Sequence, residues 1–168
     1  MAKIDELVVN FAVYEDANEY LGMAEATLPD LEYLAEELSG AGIAGNVEEI
    51  IIGHLSAMTT TLNFRTVCKA AVRLLEPRTH KLDLRVAQQQ MNNRTSETTI
   101  TGVKHIMRVK PKKTALGKVA AASTADVSGE YATQYYAMYM DGKKVTEIDP
   151  LNFICIINGH DYLEEVRK

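Results

Sequence analysis

The sequence has little of what disulfide-stapled, membrane-spanning or linker-like proteins require. Its 168 residues include only two cysteines, Cys68 and Cys155, which is too few for a disulfide framework. The first residues lack the apolar segment of a secretory signal, and no apolar run reaches the roughly 18 residues of a membrane helix. Four prolines and ten glycines exclude a collagen-like or linker-dominated chain. We therefore expect one soluble domain over residues 1–168, made inside the cell, with both cysteines reduced in its core.

After Lys3, the first third of the chain contains no Lys or Arg. Residues 4–64 contain twelve Asp and Glu but no Lys or Arg, whereas residues 65–168 contain seventeen basic and eleven acidic residues. Such segregation indicates a nucleic-acid patch, an acidic surface, or two faces of one molecule that meet each other. Residues 98–126 carry the main basic run but no aromatic side chain for stacking on bases, and the isoelectric point is about 5.4. The charge pattern therefore does not favour nucleic-acid recognition.

Alternation of apolar and polar residues predicts a mainly β fold. Residues 56–64 place Met58, Leu62 and Phe64 on one face, and residues 81–86 alternate in the same way. Further strands are predicted at residues 8–14 and 20–27, which flank a turn, and at residues 98–109. Asp141-Gly142, between runs at 127–140 and 143–148, is the strongest hairpin signal. We predict a β-sandwich or β-barrel with one flanking α-helix and long hairpin arms.

Helical signals are few. Apolar residues recur at helical spacing over residues 66–75 and Pro77 follows as a stop, which predicts the flanking helix. Residues 161–167 favour a second short helix. Residues 30–38 fit a helix and a strand equally well, and the pattern alone does not decide. Residues 111–125 are predicted to form a long basic loop between two strands, a common place for a binding surface.

One stretch matches a nucleotide-binding motif in its letters only. Residues 40–45 read Gly-Ala-Gly-Ile-Ala-Gly, which fits G-x-G-x-x-G. That motif works only between an apolar strand and a helix N-terminus, where the backbone holds a pyrophosphate. Here acidic residues precede it, and Glu48 and Glu49 follow where the pyrophosphate would lie. We therefore interpret the segment as a glycine-rich loop that bends freely or lies close to another chain.

Signals for catalysis or metal binding are weak. The four histidines, His54, His80, His105 and His160, do not show the spacing of a helical metal pair, and neither cysteine has a close companion. No serine stands in a G-x-S-x-G elbow. The residues therefore predict no catalytic site, no metal site and no cofactor.

These features together predict self-association. The chain combines an acidic segment, a basic segment and a glycine-rich loop on a β domain. When two different surfaces of one molecule meet, the contact is heterologous and generates rings or filaments. Rings that join sheet edges between subunits also remove the aggregation hazard of open edges.

Several segments match a known family in their order and spacing: residues 10–14, 20–24, 27–31, 39–45, 139–149 and 158–164, together with Asn152. With these segments, the chain resembles the major tail tube proteins of P2-type contractile-tailed bacteriophages, a family whose tubes are related to those of R-type bacteriocins. The resemblance covers about residues 8–168, and the middle, residues 67–125, matches in pattern more than in residues. Where the family has a basic residue before the glycine-rich segment, this chain has Ser39.

The resemblance implies a structural role without catalysis. Proteins of this family form six-membered rings that stack into the inner tube of a contractile tail, a conduit for DNA ejection. The implied partners are further copies of the chain, the tail sheath protein, and tape-measure and baseplate proteins, while DNA passes through the lumen without specific binding. The implied location is the tail of a virion or phage-like particle assembled in the bacterial host cytoplasm, without membrane insertion.

The resemblance also implies positions for the contacts. Residues 31–64 would supply a lumen hairpin with its glycine-rich contact loop, and residues 110–126 a basic contact loop. The candidate subunit or ring contacts are Gly40, Gly42, Gly45, Glu48, Glu49, Lys110, Lys112, Lys113, Asp141 and Gly142, and the candidate lumen-facing acids are Glu32, Glu36 and Glu37.

Two other functions stay open at this point. One is the tube of an R-type bacteriocin or secretion-type particle that carries no DNA. The other is a small β-barrel enzyme or ligand-binding module that uses His105, His160 and nearby carboxylates.

Overall fold

A computed structural model describes residues 3–15, 19–20 and 25–168, with side chains described for residues 7–15 and 25–168. The strands are β1 (Lys3–Glu15), β2 (Glu19–Tyr20), β3 (Glu25–Thr27), β4 (Tyr33–Leu38), β5 (Val47–Leu55), β6 (Met58–Phe64), β7 (His80–Asn92), β8 (Thr98–Ala115), β9 (Val127–Met140), β10 (Lys143–Asp149), β11 (Ile154–Ile157) and β12 (His160–Asp161). The helices are α1 (Lys69–Arg73) and α2 (Glu164–Arg167), and Pro150–Asn152 forms one 3-10 turn.

Among the described residues, ten strands form one antiparallel sheet. Its order is β12-β11-β10-β9-β8-β7-β1-β2, and it branches at β9. The first half of β9 pairs with β6 on the side away from β8, and the second half pairs there with β10. Strand β3 adds to the outer edge of β6. The predicted mainly β fold is confirmed.

The core lies on one face of this branched sheet. Strand β6 shows strict alternation, with Met58, Thr60, Leu62 and Phe64 buried and the residues between them half-buried, as predicted. Leu82 on β7, Val109 on β8 and Tyr131 on β9 fill the same core, each at 1% exposure or less. Because successive strand residues point to opposite faces, Asp83, Arg85 and Lys104, which lie between core residues of β7 and β8, point to the other face of the sheet.

Helix α1 is shorter than predicted. It spans five residues after Cys68, and Leu74 at its C-cap is fully buried, but Val67 lies before the helix and is 52% exposed. Cys68 is half-buried and Cys155 buried, and both are free thiols. In the described part of the chain, no helix is long and apolar enough to cross a lipid bilayer.

The other predicted strands and turns are mostly confirmed. The hairpin at Asp141-Gly142 connects β9 and β10, and both turn residues have positive φ, 50° and 81°, as a type I′ turn requires. The run predicted at residues 20–27 is divided, because Tyr20 pairs with β1 whereas residues 25–27 pair with β6. Residues 16–18 and 21–24 of the predicted hairpin lie outside the described residues.

A buried ion cluster joins the end of β1 to the start of β7. Glu15 is 2% exposed and His80 fully buried, and the Glu15 carboxylate contacts the Nδ1 of His80. Arg73 and Arg78 lie 3.5 and 3.4 Å from the same carboxylate. The Nε2 of His80 lies 3.0 Å from the carbonyl oxygen of Glu76, to which it donates. This cluster connects strands β1 and β7 to the segment that follows α1.

Replacing Glu15 by Gln should lower the free energy of unfolding by about 3 kcal/mol, because it removes the charge of a buried carboxylate that Arg73, Arg78 and His80 all contact. Chemical denaturation monitored by circular dichroism measures the change. The control is Glu165→Gln, since Glu165 pairs with Lys168 at the surface and that pair contributes little. Equal stability of the Glu15→Gln and Glu165→Gln variants would contradict the role of the cluster.

Candidate assembly interface

Strands β4 and β5 form a two-stranded arm that no other strand of the described chain extends. The arm is a separate sheet, and every side chain of β4 is exposed. It carries apolar residues on both faces, although a soluble monomer rarely exposes a contiguous apolar surface of this kind. The exposed apolar side chains are Tyr33, Leu34, Leu38, Val47, Ile50, Ile51 and Ile52, at 37–65%.

The arm also places glutamates directly opposite one another. Glu36 pairs with Glu49 and Glu37 pairs with Glu48, and like charges in these cross-strand positions repel. Neighbouring residues on a strand point to opposite faces, so each face of the arm carries one of these pairs. None of the four carboxylates, nor that of Glu32, has a hydrogen-bond or ion-pair partner among the described residues.

The glycine-rich segment is the tip of this arm. Gly40, Gly42 and Gly45 have φ values of 129°, 89° and 133°, and the space beside each of them is open. The segment leads into strand β5 and not into a helix, so it lacks the helix N-terminus that a dinucleotide site requires. The interpretation as a glycine-rich loop, not a nucleotide site, agrees with this geometry.

The base of the arm is fixed against the end of the chain. Gly53 has φ +75°, and a Cβ atom at this position would lie 2.4 Å from Cδ2 of Leu163, which is 3% exposed. The backbone N–H of Ser56 donates to the carbonyl oxygen of Glu32 at 2.8 Å and closes the base. A glycine at position 53 therefore allows the arm to lie close to the C-terminal segment.

The basic segment is mostly strand, and the prediction of a loop over residues 111–125 is wrong in its first part. Strand β8 continues to Ala115, six residues beyond Val109, its last residue paired with β7. Among the described strands, none pairs with the other edge of this extension. Lys110, Lys112 and Lys113 lie on the extension, and no described carboxylate is within 4 Å of them. Lysines and a proline, here Pro111, are typical of edges that must not pair with other strands.

The rest of the basic segment is a loop as predicted. Residues 116–126 connect β8 to β9, and Lys118 pairs with Asp126 at 3.8 Å. The backbone of Ala125 contacts Lys118 and Arg65, which holds the loop against the end of β6.

The structure does not bring together the histidines of the enzyme alternative. His105 lies on β8 and His160 on β12, with β9, β10 and β11 between them. His105 accepts or donates a 2.7 Å hydrogen bond with Tyr136, and burial lowers the pKa of its imidazole. No group of three metal-ligating side chains occurs among the described residues.

The sequence analysis missed a cluster on the polar face of the main sheet. Arg85, Lys104, Arg108 and Lys144 each contact a carboxylate and lie over a tyrosine ring. The alternation of Lys81, Asp83 and Arg85 was a signal that these residues share one face. The cross-strand register that joins them to β8, β9 and β10 was not visible in the sequence.

Comparisons with known proteins identify a matching family, a relative in sequence and solved structures of similar fold. The sequence matches the family of phage tail tube protein FII over residues 5–168. It is 26% identical over 159 residues to the tail tube protein of Escherichia phage P2, a match that covers 93% of this chain and 91% of that protein.

Two solved structures of an extracellular contractile injection system, PVC, have a similar fold. A chain of its sheath/tube terminator in the extended state has a TM-score of 0.55 at 13% identity, covering 78% of this chain and 94% of that one. A chain of its sheath-tube complex in the extended state has a TM-score of 0.51 at 14% identity, covering 78% and 88%.

Replacing Gly53 by Ala should lower the free energy of unfolding by about 1–3 kcal/mol, because alanine is strained at this φ and its methyl group displaces Leu163. The control is Gly102→Ala, where the backbone is extended and nothing lies within 4 Å of the added methyl. In a double-mutant cycle with Leu163→Ala, the two effects should add to less than their sum. Additive effects would contradict the contact.

Proposed function

The chain belongs to the phage tail tube protein FII family, and from this premise we propose that its copies form six-membered rings that stack into the inner tube of a contractile tail. It is a structural protein of a tail tube. The observation that supports assembly through the arm is that β4 and β5 expose apolar residues on both faces with no covering layer in the described chain. A second copy supplies that layer.

The charges of the chain support an electrostatic contribution to this contact. Among the described residues, the four glutamates of the arm have no hydrogen-bond or ion-pair partner, and the three lysines of the β8 extension have no nearby carboxylate. We propose that the arm of one copy lies against Lys110, Lys112 and Lys113 of another. The proline and lysines of that edge disfavour strand addition, so side chains and not backbone hydrogen bonds make this contact.

Two of the acids predicted to face the lumen, Glu36 and Glu37, lie on opposite faces of the arm. Because Glu36 and Glu37 are adjacent on β4, they point to opposite faces, and one surface can contain only one of them. We propose that one face of the arm is directed to the lumen while the other contacts a neighbouring copy. The hairpin at Asp141-Gly142 remains a proposed ring contact. It lies beside Gly102, whose carbonyl oxygen accepts a 3.2 Å hydrogen bond from the backbone N–H of Asp141.

The proposed partners are those of a tail. They are the sheath protein on the outside of the tube, the tape-measure and baseplate proteins, and DNA that passes through the lumen without specific binding. The proposed location is the tail of a virion or phage-like particle assembled in the bacterial host cytoplasm. In a bacteriocin or injection particle the same tube would hold no DNA, and nucleic-acid analysis of purified particles distinguishes the two.

Deleting residues 40–45 should leave a folded subunit that no longer forms tubes, because the tip of the arm is lost while the core is untouched. Negative-stain microscopy detects rings and rods, and circular dichroism verifies the fold. Substitution of Glu165 by Gln, at the exposed surface of α2 and outside the proposed contacts, is the control and should still form tubes. Normal tubes from the deletion variant would refute the contact role of the tip, and no tubes from the unmodified chain would refute the proposed function.

Tube assembly should weaken between low salt and about 1 M salt, where the screening length falls to roughly 3 Å. Charge reversal tests the same contact more directly. Lys110→Glu with Lys112→Glu and Lys113→Glu should block assembly, and so should reversal of the glutamate pair that docks. Two reversed arms are tested, Glu36→Lys with Glu49→Lys and Glu37→Lys with Glu48→Lys.

Combining each reversed arm with the reversed lysine edge in one chain should restore tubes for one of the two pairs. The pair that is restored identifies the docking face, and the other face is then directed away from the contact. Restoration by neither pair would exclude the contact between arm and lysine edge.

A further inference from the structure

The polar face of the main sheet carries cations that are already paired within the subunit. Arg85 lies 3.2 Å from Asp83 and its guanidinium carbon lies 4.7 Å from the centre of the Tyr14 ring. Lys104 lies 4.0 Å from the same carboxylate and 5.8 Å from the Tyr139 ring. One acid thus serves two cations that are direct cross-strand neighbours and would otherwise repel each other.

The same arrangement recurs toward the other side of this face. Arg108 lies 3.5 Å from Asp149 and 4.3 Å from the centre of the Tyr135 ring. Lys144 pairs with Glu147, which raises the pKa of the ammonium, and it lies 5.9 Å from the Tyr139 ring. All four contacts with aromatic rings are within the range of cation–π attraction.

The carboxylates of this cluster are covered by the cations that they hold. Asp83, Glu147 and Asp149 are 2%, 8% and 4% exposed, although they lie on the face opposite the core. Tyr135 donates a 2.8 Å hydrogen bond to Glu147, and Asn152 donates a 2.7 Å hydrogen bond to Asp149. Burial and this bond to Glu147 raise the pKa of the Tyr135 phenol, so the ring stays neutral. We call these four cations, three acids and three tyrosines the compensated face.

The position of this face fits the inside of a ring. The core cluster, which includes Ala71 of α1 and Leu74 directly after it, lies on the opposite face of the main sheet, since its members alternate along β7 and β8 with the residues of the compensated face. When sheets close into a ring, the bulk of each subunit finds room outside, where the circumference is larger. The face of the sheet opposite the core then points toward the centre of the ring.

We propose that the compensated face forms the lumen wall, and that its acids and tyrosines occupy its cations so that the phosphates of a passing nucleic acid find no free positive charge. This inference rests on the proposed tube. Nucleic-acid affinity depends on cations that can replace counterions at phosphates, and a cation already paired with a buried carboxylate has lost much of that capacity. The wall is therefore built with basic residues and yet does not retain DNA.

The first test replaces two of the acids with amides of the same size. Asp83→Asn with Asp149→Asn frees Arg85, Lys104 and Arg108 without changing side-chain volume. Binding of the full-length subunit to a short fluorescent DNA duplex is measured by anisotropy over a range of salt concentrations. We expect affinity to rise several-fold, with the slope of log affinity against log salt steeper by about 0.9 for each cation that engages a phosphate.

The control has the same change in net charge elsewhere. Glu164→Gln with Glu165→Gln removes two exposed acids from α2 and should leave the affinity unchanged. Glu147→Gln, which frees Lys144 alone, serves if the double variant fails to fold, and it too should bind DNA more tightly than the unmodified chain. An equal gain in the control, or no gain in any of the face variants, would overturn the inference.

The second test locates the face in the assembled tube. In a Cys68→Ser background, Lys104→Cys should react with a small maleimide in both subunits and tubes. A maleimide attached to a carrier protein should label the free subunits but not the tubes, because the carrier does not enter the lumen. Equal labelling of tubes and subunits by the carrier reagent would place the face outside.

The two tests separate this inference from the proposed function. If the unmodified chain forms no tubes, the proposed function fails, and the DNA-binding test on free subunits still decides whether the face is compensated. If tubes form but Lys104→Cys is labelled from outside, the tube stands and the lumen assignment fails.

Discussion

The arm formed by β4 and β5 has no interior of its own, and this constraint governs the rest of the structure. Two strands with apolar side chains on both faces bury little against each other, and an isolated hairpin is only marginally stable in water. The arm nevertheless has a defined direction, because Gly53 packs against Leu163 at its base. The subunit thus has a buried core and an arm whose apolar side chains are exposed, and we propose that assembly buries them.

The charged side chains differ between the arm, the β8 extension and the polar face of the main sheet, and this difference determines which of these surfaces can attract another copy. Within the described part of the chain, the glutamates of the arm and the lysines of the β8 extension have no charged partner, and we propose that they pair with another copy. The polar face of the main sheet does the opposite, because each of its four cations is held by a carboxylate and a tyrosine. The lysines of the β8 extension and one glutamate pair of the arm thus lie where contact between copies is proposed, and the paired cations lie where contact with nucleic acid is to be avoided.

The sequence predicts those strands that pack on a core. Apolar and polar residues alternate along β6 because one of its faces is buried. The Asp141-Gly142 turn can be predicted because its backbone requires positive φ, which favours these residue types. Strand β4 was ambiguous because no core imposes alternation on it, so its leucines fall at helical spacing as readily as at strand spacing. Lys110–Lys113 resembled a loop because an open sheet edge is rich in lysine and proline for the same reason that a loop is. The compensated face depends on register across five strands, which no local pattern encodes.

Hydrogen exchange of the backbone amides of residues 33–55, compared between free subunits and assembled tubes, tests the central claim most directly. If other copies complete the arm, these amides exchange rapidly in the free subunit and become protected in the tube, while those of β6 and β9 are protected in both. Rods that form while the arm amides keep their rapid exchange would contradict the account, because the arm would then be uncovered in the assembly it is proposed to build.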